Sequence, residues 1–219
     1  MFENETTKKN VDETLRRGLE ELYAAEILSD DNSEDGYKTG KPFYLMPAGE
    51  MSRAVNRDSS PVYFDNNVFY NSGTEGATDI TITGAAIRPN KIAELLAKHI
   101  DSTTGAQIDT GEYTEKYFAL GGTTNNVDGT SEKFWFAKGA FSLPSRSDKT
   151  KDDSTDTNGD ELNFTAIRTQ HKFDIGSEKK TLKKVVIDSS VTKVKENADW
   201  YAQVVIPDNI ATVCEKIAE

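Results

Sequence analysis

The stretch Asp79-Ile-Thr-Ile-Thr83 alternates polar and apolar residues, and Leu162-Asn-Phe-Thr-Ala-Ile167 follows the same pattern. A period of two is typical of a β-strand with one buried and one solvated face, because successive side chains of a strand point to opposite sides. Phe134-Trp-Phe136 opens a third stretch, up to residue 143, that is rich in residues favoured in strands. These segments predict a chain that is mainly β.

Further short segments with strand-like composition are bounded by turn-forming residues. They lie at residues 43–46, 62–64, 68–70, 105–112, 117–120, 185–187 and 200–206. Many short strands in succession favour an antiparallel sandwich or barrel made of two packed sheets.

One segment has the pattern of a helix. Pro89 is favoured at the first helical position, because proline lacks a backbone donor that would be unpaired there in any case. Ile92, Leu95 and Ile100 then recur at helical spacing. We therefore expect one α-helix, at about residues 89–100, flanking the sheets.

The segment from residue 15 to 28 fits two structures. Leu15, Leu19 and Leu22 recur at helical spacing, although Gly18 interrupts them. Leu19 and Tyr23 also belong to a set of apolar residues that could line one side of an extended strand. Periodicity alone favours the helix.

The composition excludes several classes of protein. The 219 residues carry a net charge of -11, whereas proteins that wrap nucleic acid through phosphate contacts need clustered Lys and Arg. The first ten residues lack the pattern of a signal peptide and no apolar run is long enough to span a membrane, so we expect a protein made in the cytosol without a membrane partner. The single cysteine, Cys214, allows no internal disulfide.

The sequence contains no recognisable active site. Only His99 and His171 could act as an imidazole base, and neither lies in a catalytic motif. The acidic stretch from Ser154 resembles the start of a calcium-binding loop, but its twelfth position is Thr165 instead of glutamate. We therefore predict no catalytic residue, no cofactor, no metal site and no enzymatic activity.

An aromatic hairpin is predicted where Val62-Tyr-Phe64 and Val68-Phe-Tyr70 flank Asp65-Asn-Asn67. Asp and Asn tolerate the positive φ that a tight turn requires. Such a hairpin could pack in the core, stack on a carbohydrate or contact another subunit, and the residues alone leave these alternatives open.

In their order along the chain, the strand segments resemble the major tail tube proteins of long-tailed siphophages of Gram-positive hosts. The residues that carry this resemblance are Gly18-Leu-Glu-Glu-Leu-Tyr-Ala-Ala25, Gly36-Tyr-Lys-Thr-Gly-Lys-Pro42, Glu75-Gly-Ala-Thr-Asp-Ile-Thr-Ile-Thr83, Lys116-Tyr-Phe-Ala-Leu-Gly121, Phe134-Trp-Phe-Ala-Lys-Gly-Ala-Phe-Ser-Leu-Pro144 and Glu161-Leu-Asn-Phe-Thr-Ala166. Residues 200–207 also look like the Trp-to-Pro signature near the end of that family's chains. The resemblance covers about residues 18–208.

The resemblance implies a tail tube fold of two packed β-sheets with one flanking helix, in which residues 18–28 form the first strand. It implies an N-terminal arm at 1–17, a β domain at 18–178 with a long loop at 48–60, and a C-terminal extension at 179–219. Candidate contacts between subunits or rings are Arg53, Arg57, Tyr63, Tyr70, Trp200, Tyr201 and Pro207.

The implied function is that of a virion structural protein, assembled in the host cytoplasm. Hexameric rings of this chain would stack into a hollow tube, and DNA would pass through its acidic lumen. Tape measure and tail completion or baseplate proteins would be further partners. The alternative is a carbohydrate- or receptor-binding β-sandwich of a phage or a surface adhesin, suggested by the aromatic hairpin.

Overall fold

The computed structural model describes residues 14–65, 67–112, 114–142 and 159–217; at 58, 60–63 and 68–72 it describes the backbone alone. The predicted N-terminal arm therefore lies outside the described residues up to residue 13. The described chain has fifteen strands and two helices. These are β1 Arg16–Asp30, β2 Tyr37–Thr39, β3 Phe43–Tyr44, β4 Ala48–Phe64, β5 Asn67–Gly84, α1 Pro89–Leu95, β6 His99–Ile100, β7 Gln107–Ile108, β8 Tyr117–Asn126, β9 Ser131–Ser142, β10 Asp160–Ile167, β11 Lys172–Ile175, β12 Glu178–Thr181, β13 Lys184–Asp188, β14 Thr192–Val194, α2 Pro207–Val213 and β15 Cys214–Lys216.

Most strands join one large antiparallel sheet in the order β2-β1-β8-β9-β10-β5-β4. The sheet branches at β9, whose edge is shared by two partners. Glu132 to Phe136 pair with β13, whereas Lys138 to Ser142 pair with β10. The expectation of a mainly β, antiparallel protein is confirmed, and the large sheet remains open instead of closing into a barrel.

The central strands β8 and β9 are buried on both faces over most of their length, and the neighbouring β1 is buried at Leu22, Ala24 and Ala25. Phe134 and Phe136 lie in a first core with residues of β5, β10 and α1. Trp135 and Ala137, which point the opposite way along β9, lie in a second core with residues of β11, β13 and α2. Burial on both faces explains why β9 reads as a continuous apolar run and not as an alternating one.

The predicted C-terminal extension, residues 179–219, supplies much of the second core. Trp200, Val205 and Val213 are all less than 5% exposed and pack in it. The predicted boundary between residues 178 and 179 falls inside β12, which pairs with β11. Within the described residues this segment is therefore part of the folded body, and its side chains cover the second face of the central sheet.

Residues 200–206 do not form the predicted strand; they make turns that lead into α2. Their apolar side chains lie in the second core, which explains why the segment is as rich in apolar residues as a buried strand. Val204 and Val205 are buried there without any ladder partner among the strands described for the chain.

The predicted helix at 89–100 is shorter than expected, because α1 ends at Leu95. Ala97 adopts a φ of 52°, and the Lys98 amide donates to the carbonyl of Ala93 at 2.8 Å. This closing bond spans five residues and is typical of a helix C-terminus. His99 and Ile100 then form β6, which pairs with β7.

Two predictions about β-structure near the start of the chain had opposite outcomes. β1 confirms the strand that the resemblance implied and shows that the helical spacing from Leu15 was misleading. The predicted loop at 48–60 was wrong, because these residues belong to β4, which pairs with β5 along its length. The polar composition of the segment hid the strand, because it lacks the alternation of polar and apolar residues that is typical of a half-buried strand.

Candidate assembly surface

The β4–β5 hairpin is anchored to the body at its base. Met51 packs against the first core, and β5 pairs with β10 from Thr78 to Gly84. Farther out, Lys183 Nζ donates to Glu75 Oε1 at 2.9 Å and to the Gly76 carbonyl at 2.8 Å. The base of the hairpin is therefore held by apolar packing, a strand ladder and an ion pair.

Beyond Glu75 the hairpin continues as a two-stranded ribbon, which we call the hairpin tip and define as residues 58–74. Its register runs from Asp58 opposite Thr74 to Phe64 opposite Asn67. Asp65 takes the left-handed φ of 49° in the turn, as the Asp-Asn-Asn sequence predicted. The backbone of the hairpin tip is thus a two-stranded ribbon, and such a ribbon is marginally stable in water when nothing packs against it.

Arg53, a predicted contact residue, is used within the chain. Its guanidinium lies 4.0 Å above the ring of Phe134, and its Nη1 is 3.6 Å from Glu132 Oε1. Burial lowers the pKa of Arg53, while the nearby Glu132 carboxylate works against that change. Arg16 approaches the same carboxylate at 3.2 Å. Arg53 thus fixes β4 to the first core.

Arg57 has a different position, although it lies on the same strand. It is exposed and stands opposite Glu75 in the register, at the base of the hairpin tip. The hydrogen bond from Lys183 holds the pKa of the Glu75 carboxyl below its ordinary value. Because its side chain is exposed, Arg57 remains a candidate contact residue.

Tyr63 and Tyr70 occupy neighbouring register positions in the hairpin tip. Tyr63 is opposite Val68, and Tyr70 is opposite Val62. Their side chains lie outside the described set, so their roles as contact residues stay predictions. The backbone register confirms the hairpin on which that prediction depended.

Trp200 and Tyr201, also predicted as contacts between subunits, lie inside the second core. The Trp200 carbonyl accepts a hydrogen bond from Trp135 Nε1 at 3.2 Å. Tyr201 stacks on Tyr23 with ring centroids 4.4 Å apart, and its hydroxyl is 2.6 Å from Thr123 Oγ1. Burial raises the pKa of Tyr201 above its ordinary value. Both side chains stabilise the subunit itself.

Pro207, the last predicted contact residue, begins α2 and is half-buried. Asn209 closes the start of this helix, since its Oδ1 accepts from the Ile206 amide at 2.9 Å. The Trp-to-Pro segment is therefore a covering element of the second core that ends in a capped helix.

Sequence reasoning missed a group of exposed apolar residues at one end of the sheet. Leu15 is 75% exposed, Val127 58% and Val191 52%, and Ile217 beside Val191 is 36% exposed. We call these four residues the apolar end. The only available signal was a valine inside each of two turns, at Asn126-Val-Asp128 and Ser190-Val-Thr192.

A buried polar cluster connects β1 and β9 of the large sheet to the residues just before β11, which covers the second face of the sheet. Lys138 and Asp30 form an ion pair at 2.7 Å, and both side chains are almost fully buried. Asp30 also accepts the backbone amides of Gln170 and His171. His171 Nδ1 lies 3.1 Å from the Asp31 carbonyl. These contacts give His171 a structural position at the start of β11.

His99, the other histidine, is an exposed residue of β6 and does not lie on the helix. Among the described residues, no group of three or more His, Cys, Asp or Glu side chains is arranged to hold a metal ion. None of the helices in the described ranges is both long and apolar enough to cross a membrane.

Comparisons with solved structures find several chains of similar structure. The chain is similar to the tube terminating cap of the anti-feeding prophage, with a TM-score of 0.39 and 10% sequence identity, over 83% of this chain and 98% of the cap chain. No protein-family model and no curated protein sequence matches the chain.

Proposed function

We propose that this chain is a structural subunit of a phage tail, and specifically the repeating subunit of the tail tube. Copies would form hexameric rings, and stacked rings would enclose a channel for DNA. The observation that carries the proposal is the β4–β5 hairpin, whose strands continue to pair beyond the ion pair between Glu75 and Lys183. A strand pair of this kind is stabilised by a neighbouring copy.

The open sheet supports assembly as well. Its order begins at β2 and ends at β4, so each of these strands has one edge without a ladder partner among the described strands. Exposed edges promote uncontrolled aggregation unless they are covered or joined. In rings where the sheet of one copy continues into the next, the backbone groups on these edges would be paired. A closed ring would leave no strand edge unpaired.

The ordered sequence segments give the proposal its tail-tube form. Gly18 to Ala25 lies in β1, Glu75 to Thr83 in β5, and Glu161 to Ala166 in β10. The segments that resemble siphophage tail tube proteins thus coincide with strands of the large sheet. Under this proposal the chain is a virion protein and performs no catalysis.

The net charge of -11 agrees with a channel for DNA. Carboxylates that line a channel repel phosphate groups, so DNA passes without binding. Tape measure and tail completion or baseplate proteins are the partners that such a tube requires, and assembly takes place in the host cytoplasm.

Electron microscopy of the purified full-length protein tests the proposal directly. We expect rings or tubes, with sixfold averages in end-on views, at concentrations where light scattering shows assembly. A protein that stays monomeric at all concentrations, and is absent from particles of the virus that encodes it, would contradict the proposed function.

A further inference from the structure

We propose that a groove between β1 and β4 binds an extended, carboxylate-bearing peptide segment of a partner protein, which adds a strand to the sheet. We call this groove the edge groove and define it as the space between residues 16–20 of β1 and 48–53 of β4. The inference goes beyond the proposed function, because it concerns a site within one subunit and a partner other than a second copy.

The edge groove begins where two strands diverge. β3 pairs with β1, and the Leu45 amide then donates to the Leu22 carbonyl at 2.8 Å. Beyond this point the chain leaves β1 and pairs with β5 as β4. Residues 16–20 pair with β8 on one side, and residues 48–53 pair with β5 on one side. Among the described strands, neither stretch has a ladder partner on its other edge.

A β-bulge distorts β1 at the narrow end of the edge groove. The register with β8 shifts between Glu20 and Tyr23, and Glu21 has a φ of 55°. This left-handed φ is unfavourable for a residue other than glycine, so contacts must maintain it. The Glu21 carboxylate accepts from Lys133 Nζ at 3.2 Å and from Thr123 Oγ1 at 3.0 Å. Because a bulge bends its strand, this distortion contributes to the divergence of β1 from β4.

The edge groove has a volume of about 450 Å³, with apolar residues along it and cations at its wide end. Leu19 and Met51 line it from opposite sides, and both pack against the first core. Arg16 and Arg53 line it at the positions farthest from the point of divergence. A bound strand would place alternate side chains on the apolar residues and direct the others to solvent.

The two arginines favour a carboxylate on the bound segment. Arg16 Nη2 lies 3.2 Å from Glu132 Oε2 and Arg53 Nη1 3.6 Å from Glu132 Oε1, although each guanidinium has five N–H donors. The side chain of Arg16 is 70% exposed, so a ligand can reach it. Among the residues that line the groove the arginines outnumber the one acidic residue, Glu50, whereas the whole chain has a net charge of -11. The groove therefore complements an acidic segment.

The geometry also limits the occupant to a single strand. The edge groove lies between two strands of the same chain, so the sheet of a neighbouring copy would meet β4 only farther out, beyond Arg53. A single extended segment would pair with the unpaired edges and connect β1 to β4. Peptides that add a strand in this way gain affinity from main-chain hydrogen bonds and specificity from alternate side chains.

Binding of synthetic peptides to the full-length protein tests the inference. The probe is a blocked peptide of about eight residues, a usual strand length, with alternating threonine and valine and a glutamate at each end. A second peptide has lysine in place of glutamate. A third keeps the side chains of the probe but carries N-methyl groups on its backbone nitrogens, which removes the donors that a strand needs. Titration calorimetry is performed at concentrations below those at which light scattering shows assembly.

We expect saturable binding of one glutamate peptide per subunit. The lysine peptide should bind about tenfold more weakly or less, because it loses the charged hydrogen bonds to the arginines. The N-methylated peptide should not bind, because it cannot pair with a strand edge.

Two protein variants locate the bound carboxylate. Arg16→Ala should weaken binding of the glutamate peptide about tenfold and reduce the preference for glutamate over lysine. Arg17→Ala is the matched control, because Arg17 is the exposed neighbour on β1 and does not line the edge groove, so its binding should equal that of the wild type. Circular dichroism and thermal unfolding establish that both variants fold.

Three results would overturn the inference. The glutamate peptide fails to bind; the N-methylated peptide binds as well as the glutamate peptide, which would show apolar adhesion without strand pairing; or Arg17→Ala weakens binding as much as Arg16→Ala, which would show a general effect of charge. None of these results changes whether the protein forms rings or tubes, so failure of this inference and failure of the proposed function are distinguishable.

Discussion

The central strands and the hairpin tip are both antiparallel β-structure, yet they are stabilised by different means. In β9, Trp135 and Phe134 are fully buried on opposite faces of one sheet. In the hairpin tip, the strands pair with each other, and Phe64 is 60% exposed. Strand pairing alone therefore does not show which part of the sheet stabilises the subunit and which part is available to a partner.

The largest expected difference concerns aromatic residues in the two regions. Trp135→Ala removes the side chain at the centre of the second core, and truncation of a buried Trp costs about 3–5 kcal/mol. Phe64→Ala removes a ring that is 60% exposed, so the free energy of unfolding should fall by markedly less than in Trp135→Ala. Urea unfolding of the two variants measures both values; equal losses would show that the tip contributes to the core.

A second prediction concerns the buried ion pair between Lys138 and Asp30. Lys138→Met leaves the Asp30 carboxylate unpaired in the interior, so we expect a loss of about 3–5 kcal/mol at pH 7. Lys180→Met, at an exposed pair with Glu178, is the control and should cost less than about 1 kcal/mol. A small loss for Lys138→Met would mean that water reaches the pair.

The same cluster makes stability depend on pH. Burial acts to raise the pKa of Asp30, but hydrogen bonds from His171, Lys138 and Gln170 outweigh it and hold that pKa below its ordinary value. A lowered pKa means that the unfolded chain binds the proton more readily, so the stabilisation is complete above the unfolded-state pKa and is lost as the pH falls through the folded one. Asp30→Asn should therefore lose the most relative to wild type at neutral pH, and the gap should narrow in acid. A gap of constant size from pH 7 to pH 3, measured by chemical denaturation, would contradict this.

The sequence predicted the strands that cover a core much better than the strands that leave it. Alternation in β5 and β10 was visible because one face of each packs on the first core. In β4, residues 48–60 show no such alternation, so this polar part of the strand was predicted as a loop. The second core required knowledge of tertiary structure, because nothing local shows that Trp200 packs on the face opposite α1.

The predicted contact residues also differed in how well the sequence placed them. Arg57 and the aromatic hairpin were predicted at positions that the structure places on a projecting ribbon. Arg53 and Tyr201 were predicted as contacts but are largely buried, since exposure at a single position depends on elements distant in sequence. The apolar end combines residues from four parts of the chain, and no local pattern could bring them together.

The two arginines of β4 allow a finer comparison. Arg53→Ala removes a cation–π contact with Phe134 and an interaction with Glu132, which should cost about 1–2 kcal/mol. Arg57→Ala lies a few residues farther out, where an exposed charge contributes less than about 0.5 kcal/mol. Arg57→Ala should instead weaken assembly if the base of the tip contacts a neighbour. Thermal unfolding and light scattering on the same samples separate the two effects; a larger stability loss for Arg57→Ala would place the boundary of the body beyond residue 57.

A small effect on stability, combined with a complete effect on assembly, is expected from removal of the hairpin tip. Replacement of residues 58–74 by Asn-Gly joins Arg57 to Glu75, which already stand opposite each other, through a turn that favours hairpins. Because the ion pair between Glu75 and Lys183 is retained, the unfolding free energy should change by less than about 1 kcal/mol.

Rings and tubes should be absent from electron micrographs of this variant at concentrations where the wild type forms them. If the tip stabilised the fold instead, the variant would show the reverse result. Its free energy of unfolding would be lower, and the refolded subunit would still assemble. The variant therefore separates the two kinds of β-structure in one molecule: strands whose side chains are buried within the chain, and strands whose burial requires another copy.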